Sequence, residues 1–201
     1  MTEEEARGWI AAKFGETLCA QVGAFLDMVR AENAQQNLIA PSTIDALWLR
    51  HALDSAQLVD HAGSGARDWL DVGTGGGFPG MVVAILFDGE VTMVEPRRRR
   101  ALFLNECVEK LGLSGATVRA SRVEQVEGRY DVISARAVAS VEKLLHAAAH
   151  CARSDTRWVL PRGRIEPEQL QMLRRDRGWV FHVKQSLTSA DSSILLVERK
   201  S

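Results

Sequence analysis

Trp69-Leu70-Asp71-Val72-Gly73-Thr74-Gly75-Gly76-Gly77-Phe78-Pro79-Gly80 decides how this chain is read. The stretch begins as a short apolar run, the pattern of a strand buried on both faces. It ends with five glycines in eight residues and passes into the apolar helical pattern Met81 to Leu86. Glycines at this density permit positive φ and let the backbone come close to a ligand. Pro79 suits the first turn of a helix, where a missing N–H costs nothing. Strand, glycine turn and helix N-terminus together offer free N–H groups and partial positive charge, which predicts a nucleotide-cofactor loop.

Two cofactor motifs overlap here. Gly75 to Gly80 satisfies the dinucleotide pattern GxGxxG. Read from Asp71, the same residues are D-x-G-x-G-x-G, the first motif of S-adenosylmethionine methyltransferases. The second reading suits the turn better, because Gly73 follows the strand directly and a carboxylate precedes it. That carboxylate would attract the ammonium of a methionine moiety and repel a pyrophosphate. Glu95 ends the next apolar segment, twenty-two residues after Gly73. An acid at that place binds the two hydroxyls of a ribose, which both cofactors carry. A nicotinamide oxidoreductase therefore stays open at this point, as does a domain that holds RNA without catalysis.

The 201 residues, 46% hydrophobic and 25% charged, are the composition of an ordinary globular chain. No apolar run approaches the roughly 20 residues that span a bilayer. Met1 leads into Thr2-Glu3-Glu4-Glu5, unlike a secretory signal. Cys19, Cys107 and Cys151 are odd in number, scattered and without a CxxC pair, as in a reducing compartment. A soluble cytoplasmic protein with no membrane contact is expected. The net charge of -1 hides an asymmetry: residues 1–60 hold four Arg and Lys against nine Asp and Glu, whereas residues 97–177 hold seventeen against ten. A polyanion would meet the later part of the chain.

Periodicity places helices over Glu3 to Phe14 and from Leu18 to about Glu32, a turn from Asn33 to Ile39, and a third helix capped by Pro41-Ser42. With no strands among them, residues 1–66 are expected to form a helical cap. From Asp68, strands (68–73, 91–95, 116–120, 130–135, 156–160, 178–184, 193–199) alternate with helices (79–87, 97–112, 140–152, 166–176). Alternation of this kind predicts a doubly wound parallel sheet over residues 67–201, with ligands at the carboxyl ends of the strands. The last two strands follow one another without a helix, so one of seven runs antiparallel. That hairpin is foreign to a plain dinucleotide domain. Glu142, His146 and His150 share a helix face but lack HExxH spacing, so no metal site is predicted.

Several motifs occur in order: Asn37-Leu38, Arg50-His51-x-x-Asp54-Ser55, the turn 71–80, Arg122-Val123-Glu124 and Ser134-x-Arg136-Ala137. Together they resemble the bacterial 16S ribosomal RNA guanine-N7 methyltransferase family, also called glucose-inhibited division protein B, over roughly Ala24 to Glu198. The resemblance implies an α/β, Rossmann-like class I methyltransferase fold, S-adenosyl-L-methionine as cofactor, and 16S ribosomal RNA within a small-subunit particle as partner. It implies that Asp71, Gly73, Gly75, Gly77, Phe78 and Glu95 bind the cofactor, that Val123 and Glu124 flank its adenine, and that Arg136 faces the reacting atoms and cofactor. Arg50, His51, Asp54, Ser55, Arg98, Arg100 and Arg162 become the RNA-side candidates. Arg162 stands where many members carry lysine; it keeps the charge and changes its shape.

Overall fold

The computed structural model describes every residue except Val138, Ala139 and Ser201. Two helices lead the chain, α1 (Glu3–Phe14) and α2 (Glu16–Gln36). Thr2 and Glu5 form a capping box at the start of α1, which satisfies two N–H groups that would otherwise lack partners. The expected end of the second helix is corrected, because α2 continues through Asn33 to Gln36. Asn37 closes it in the left-handed conformation, with φ 47°. Asn33 is buried, and its side-chain oxygen accepts the N–H of Ile39 at 2.8 Å. One asparagine thus folds the chain back under the helix end.

The expected third helix is also corrected. Pro41–Ala46 is a 3-10 turn, Trp48–Leu53 a π-helical turn, α3 (Asp54–Ala56) a single α turn, and Gln57–His61 again 3-10. Ser42 caps nothing; Ala40 holds the cap position, with Pro41 first in the turn. The cause lies in α1. Both carboxylate oxygens of Glu3 accept backbone N–H groups, from Trp48 at 2.9 Å and Leu49 at 2.7 Å. Donors committed to a side chain are lost to a regular i→i−4 ladder, so the segment widens at that place.

Among the described residues seven strands follow: β1 (Asp68–Val72), β2 (Glu90–Val94), β3 (Ala116–Arg119), β4 (Tyr130–Ser134), β5 (Ala152–Gly163), β6 (Trp179–Gln185) and β7 (Ser192–Arg199). The helices that accompany them are α4 (Gly80–Leu86), α5 (Arg98–Leu111), α6 (Val141–Ala147) and α7 (Pro167–Leu173). The sheet order is β3-β2-β1-β4-β5-β7-β6. β7 is antiparallel to β5 on one side and to β6 on the other, while the remaining pairs are parallel.

Alternate side chains point to opposite faces of a strand, and two cores result. Trp69, Met93, Val132 and Val159 face α4, α5 and the cap, where Phe25, Val29, Leu47 and Leu53 complete one cluster. Leu70, Ile133, Trp158 and Leu195 face α6 and α7 in the other. The cap thus shares the core of the sheet's first face instead of standing apart from it. Chain order reverses between β1 and β4, and ligands of open α/β sheets sit outside the carboxyl ends at that point. Gly73 and Arg136 lie there.

Candidate active site

The glycine turn joins β1 to α4 and is held by the neighbouring strand β2. Gly73 and Thr74 donate backbone N–H groups to the carbonyl of Val94, the last residue of β2, at 2.8 and 3.1 Å. Pro79 occupies the cap position of α4 and not its first turn, after a cis Phe78–Pro79 peptide. Gly75 and Gly77 both have positive φ, 62° and 101°, but they serve different ends. A Cβ on Gly75 would meet nothing nearer than Arg100 Nη1 at 3.7 Å, so this side of the turn is open. A Cβ on Gly77 would lie 2.4 Å from Phe25 Cζ, inside the packing of the cap.

The two carboxylates of the motif also divide their work. Asp71 is 0% exposed. Its Oδ1 accepts the Ser134 hydroxyl at 2.6 Å, its Oδ2 accepts the N–H of Gly80 at 2.9 Å, and Ser134 in turn accepts the Trp69 indole N–H at 2.8 Å. Burial pushes its pKa up to about 6, against the hydrogen bonds from Ser134, Thr74 and Gly80, which lower it. The structure places this side chain beneath the turn, tying β1, β4 and the start of α4 together, rather than toward a ligand's ammonium. Glu95, also buried, accepts Gly75 N–H on one oxygen at 2.9 Å and Arg97 N–H on the other at 2.8 Å. Each of its oxygens has a second lone pair. An anchored carboxylate beside the open face of Gly75 fits the ribose end of a nucleoside cofactor. Val123, buried, opens the short 3-10 turn Val123–Gln125 after β3, with Glu124 exposed beside it.

Arg136 lies two residues past β4 and is gathered into the cap. Nη1 donates to Asp54 Oδ2 and to the Arg50 carbonyl, both at 3.4 Å; Nη2 lies 3.1 Å from His51 Nδ1. The guanidinium carbon lies 5.3 Å from the Phe78 ring centroid, a cation–π distance. Phe78 is itself packed by His51 at 4.8 Å and Phe25 at 5.2 Å. Burial first, then Arg136 and Arg50, lower the His51 pKa to about 3. The ring is therefore neutral near pH 7, and Nδ1 accepts from Arg136 while Nε2–H is donated to Thr43 Oγ1 at 2.8 Å. Burial raises the Asp54 pKa, and Arg136 opposes that shift. Ser55, buried, donates to the His51 carbonyl at 2.6 Å, which steadies the turn.

A cleft of about 390 Å³ opens beside this cluster, lined by Arg50, His51, Asp54, Arg136, Arg162 and Thr188 among others. Arg162 is half-buried on β5, and burial lowers its pKa. Of the helix arginines, Arg98 is exposed, whereas Arg100 donates to the Asn37 carbonyl at 3.1 Å and stands against the glycine turn. Arg100 thus joins α5 to the cap. Part of the basic excess is likewise spent at the far end of the sheet, where Arg153 pairs with Asp68 and Asp131, and Arg157 with Glu198. Thr43, Gln57 and Thr188 belong to no motif, and the hydroxyl-rich turn Ser186 to Ser189 is the one sign of them in the sequence.

Residues 18–194 match the family model GidB, rRNA small subunit methyltransferase G. Ribosomal RNA small subunit methyltransferase G of Erythrobacter litoralis is 41% identical over 97% of this chain and 95% of its own length. The protein of that name from Sphingopyxis alaskensis is 44% identical over 96% and 85%. A solved SAM-dependent methyltransferase from Aquifex aeolicus superposes with TM-score 0.59 over 81% of this chain and 94% of its own, at 19% identity.

Proposed function

The chain belongs to the GidB family of rRNA small subunit methyltransferases, and from that premise we propose that it methylates N7 of one guanine in 16S ribosomal RNA. S-adenosyl-L-methionine would supply the electrophilic methyl group. Residues 73–78 and Glu95 would hold it, with Val123 and Glu124 at its base. The cleft between the cap (residues 1–66) and the methyltransferase core (67–201) would receive the RNA, presented in a small-subunit particle in the cytoplasm. Family membership favours this reading over a nicotinamide enzyme or an RNA-holding domain without catalysis.

Guanine N7 has an in-plane lone pair, so no base need remove a proton before attack. What the protein must supply is alignment and a site tolerant of the positive charge that the base acquires. The site is built accordingly: the buried histidine is neutral, and its fixed cation is shared with a carboxylate. Arg136 carries this reading. Arginine commonly grips guanine through both O6 and N7, but that grip would occupy the lone pair that must react. Held at Nη1 and Nη2 by Asp54 and His51, the fork would reach O6, the RNA backbone or the cofactor carboxylate through its further N–H groups. Nucleoside mass spectrometry of small-subunit RNA from cells lacking the protein tests the reaction. Resupply of the protein should restore 7-methylguanosine, and its return without the protein would overturn the assignment.

A further inference from the structure

The turn that joins β6 to β7 reaches across the sheet to the cap through Gln57. That residue is 3% exposed. Its Nε2 donates to Ser186 Oγ at 3.0 Å and, at 3.3 Å, to the backbone carbonyl and Oδ1 of Asp54. Its Oε1 accepts the N–H of Leu187 at 2.9 Å. Ser186 and Thr188 share a hydrogen bond of 2.9 Å, and Thr188 Oγ1 donates to Asp54 Oδ1 at 3.3 Å. The other oxygen of Asp54 holds Arg136. One carboxylate thus receives the cap and the C-terminal turn on one side and the site's arginine on the other.

We propose that Gln57 is a positioning residue for methyl transfer, setting Asp54, and through it Arg136, by keying the Ser186–Thr188 turn to the cap. The inference rests on the proposed reaction at Arg136. A buried primary amide suits this task, since it donates and accepts at once without adding charge beside Asp54 and Arg136. Thr188 and Arg136 both line the cleft, so a displaced turn changes the cleft wall and the arginine together. The glycine turn that faces the cofactor has its own supports, Val94 and Glu95, which do not pass through Gln57.

Methyl incorporation into unmodified small ribosomal subunits, measured with full-length protein at saturating cofactor and subunit, provides the test. Gln57→Ala should lower kcat about tenfold or more, with cofactor affinity by calorimetry held within about twofold. Gln57→Glu supplies the signature of a hydrogen-bonding role. Ionised, it loses the donor and sets a second carboxylate against Asp54; protonated, it regains the donor. Its activity relative to wild type should therefore rise as pH falls. Thr188→Val, a substitution on the outer turn, should lower kcat in the same direction and covers the case in which Gln57→Ala does not fold. Normal kcat in folded Gln57→Ala, or in Thr188→Val where the alanine variant is unfolded, overturns the proposal, as does a pH-independent deficit in Gln57→Glu. Failure of the wild-type protein itself to methylate the subunits would instead overturn the proposed reaction, and the inference with it.

Discussion

The glycine turn and the arginine cluster face one another across Phe78, yet they are built in opposite ways. The turn is made within ten consecutive residues, held by backbone groups and two acids at the ends of adjacent strands. The arginine cluster draws on residues 43–57, 136 and 186–188, and side chains hold it together. Local construction leaves one contiguous pattern in sequence; assembly across more than 130 positions leaves short, scattered ones that do not say they belong together. The two should also fail differently.

Removal of Arg136 gives the largest expected effect on methyl transfer and strikes the cluster at its centre. Arg136→Ala should reduce methyl transfer about 100-fold or more, measured at saturating cofactor and RNA, while the fold persists. Arg136→Lys should recover only part, because a point charge cannot hold two partners in a planar fork. Near-normal turnover in the alanine variant would break the contrast. Gly77→Ala strikes the turn instead. Its Cβ would collide with Phe25 at a backbone angle that suits glycine, and unfolding in denaturant should show a loss of ~4 kcal/mol. A loss under about 1 kcal/mol would mean that the cap yields easily.

Asp71 sharpens the contrast through pH. Its pKa in the fold is about 6, above the ordinary 3.8, so the fold favours the protonated carboxyl. The stability it contributes is complete below about pH 4 and is lost as pH rises through about 6, a total of ~3 kcal/mol, half of it between about pH 5 and 7.5. Asp71→Asn should flatten that slope in denaturant titrations, and an unchanged slope would place the titrating group elsewhere. The smallest effects belong to Arg97, Arg98 and Arg99, all exposed. Their joint replacement by alanine should make the log–log salt slope of RNA binding shallower by roughly 0.7 to 0.9 for each phosphate that the three neutralise. Arg100 is left intact in that variant because it ties α5 to Asn37. A slope that does not move would make the three a solvated face.

Much of the fold was legible because strands and helices of the sheet leave regular apolar spacing. Each predicted strand is present, with β5 longer than its apolar middle, since Arg153 and Asp155 at its start are partly or fully exposed. The stretch from Pro41 to His61 was not legible as an irregular helix, because its shape answers to Glu3, some 45 residues earlier. Asp54 stands four residues after Arg50, a spacing that pairs two side chains on a regular helix; its bridge runs instead to Arg136. Asp71 was legible as essential to the motif but not as a buried support, since a sequence shows where an acid stands and not which way it turns.

The order of the sheet has one more consequence, for the newly made chain. β7, the last strand in sequence, inserts between β5 and β6. During synthesis β6 therefore emerges with no strand to pair with, and an open edge of this kind attracts wrong partners. The turn at 186–188 is likewise formed before β7 exists to anchor its far side. Until β7 leaves the ribosome, the turn that carries Thr188 is unanchored on that side, and Asp54 has only part of its support.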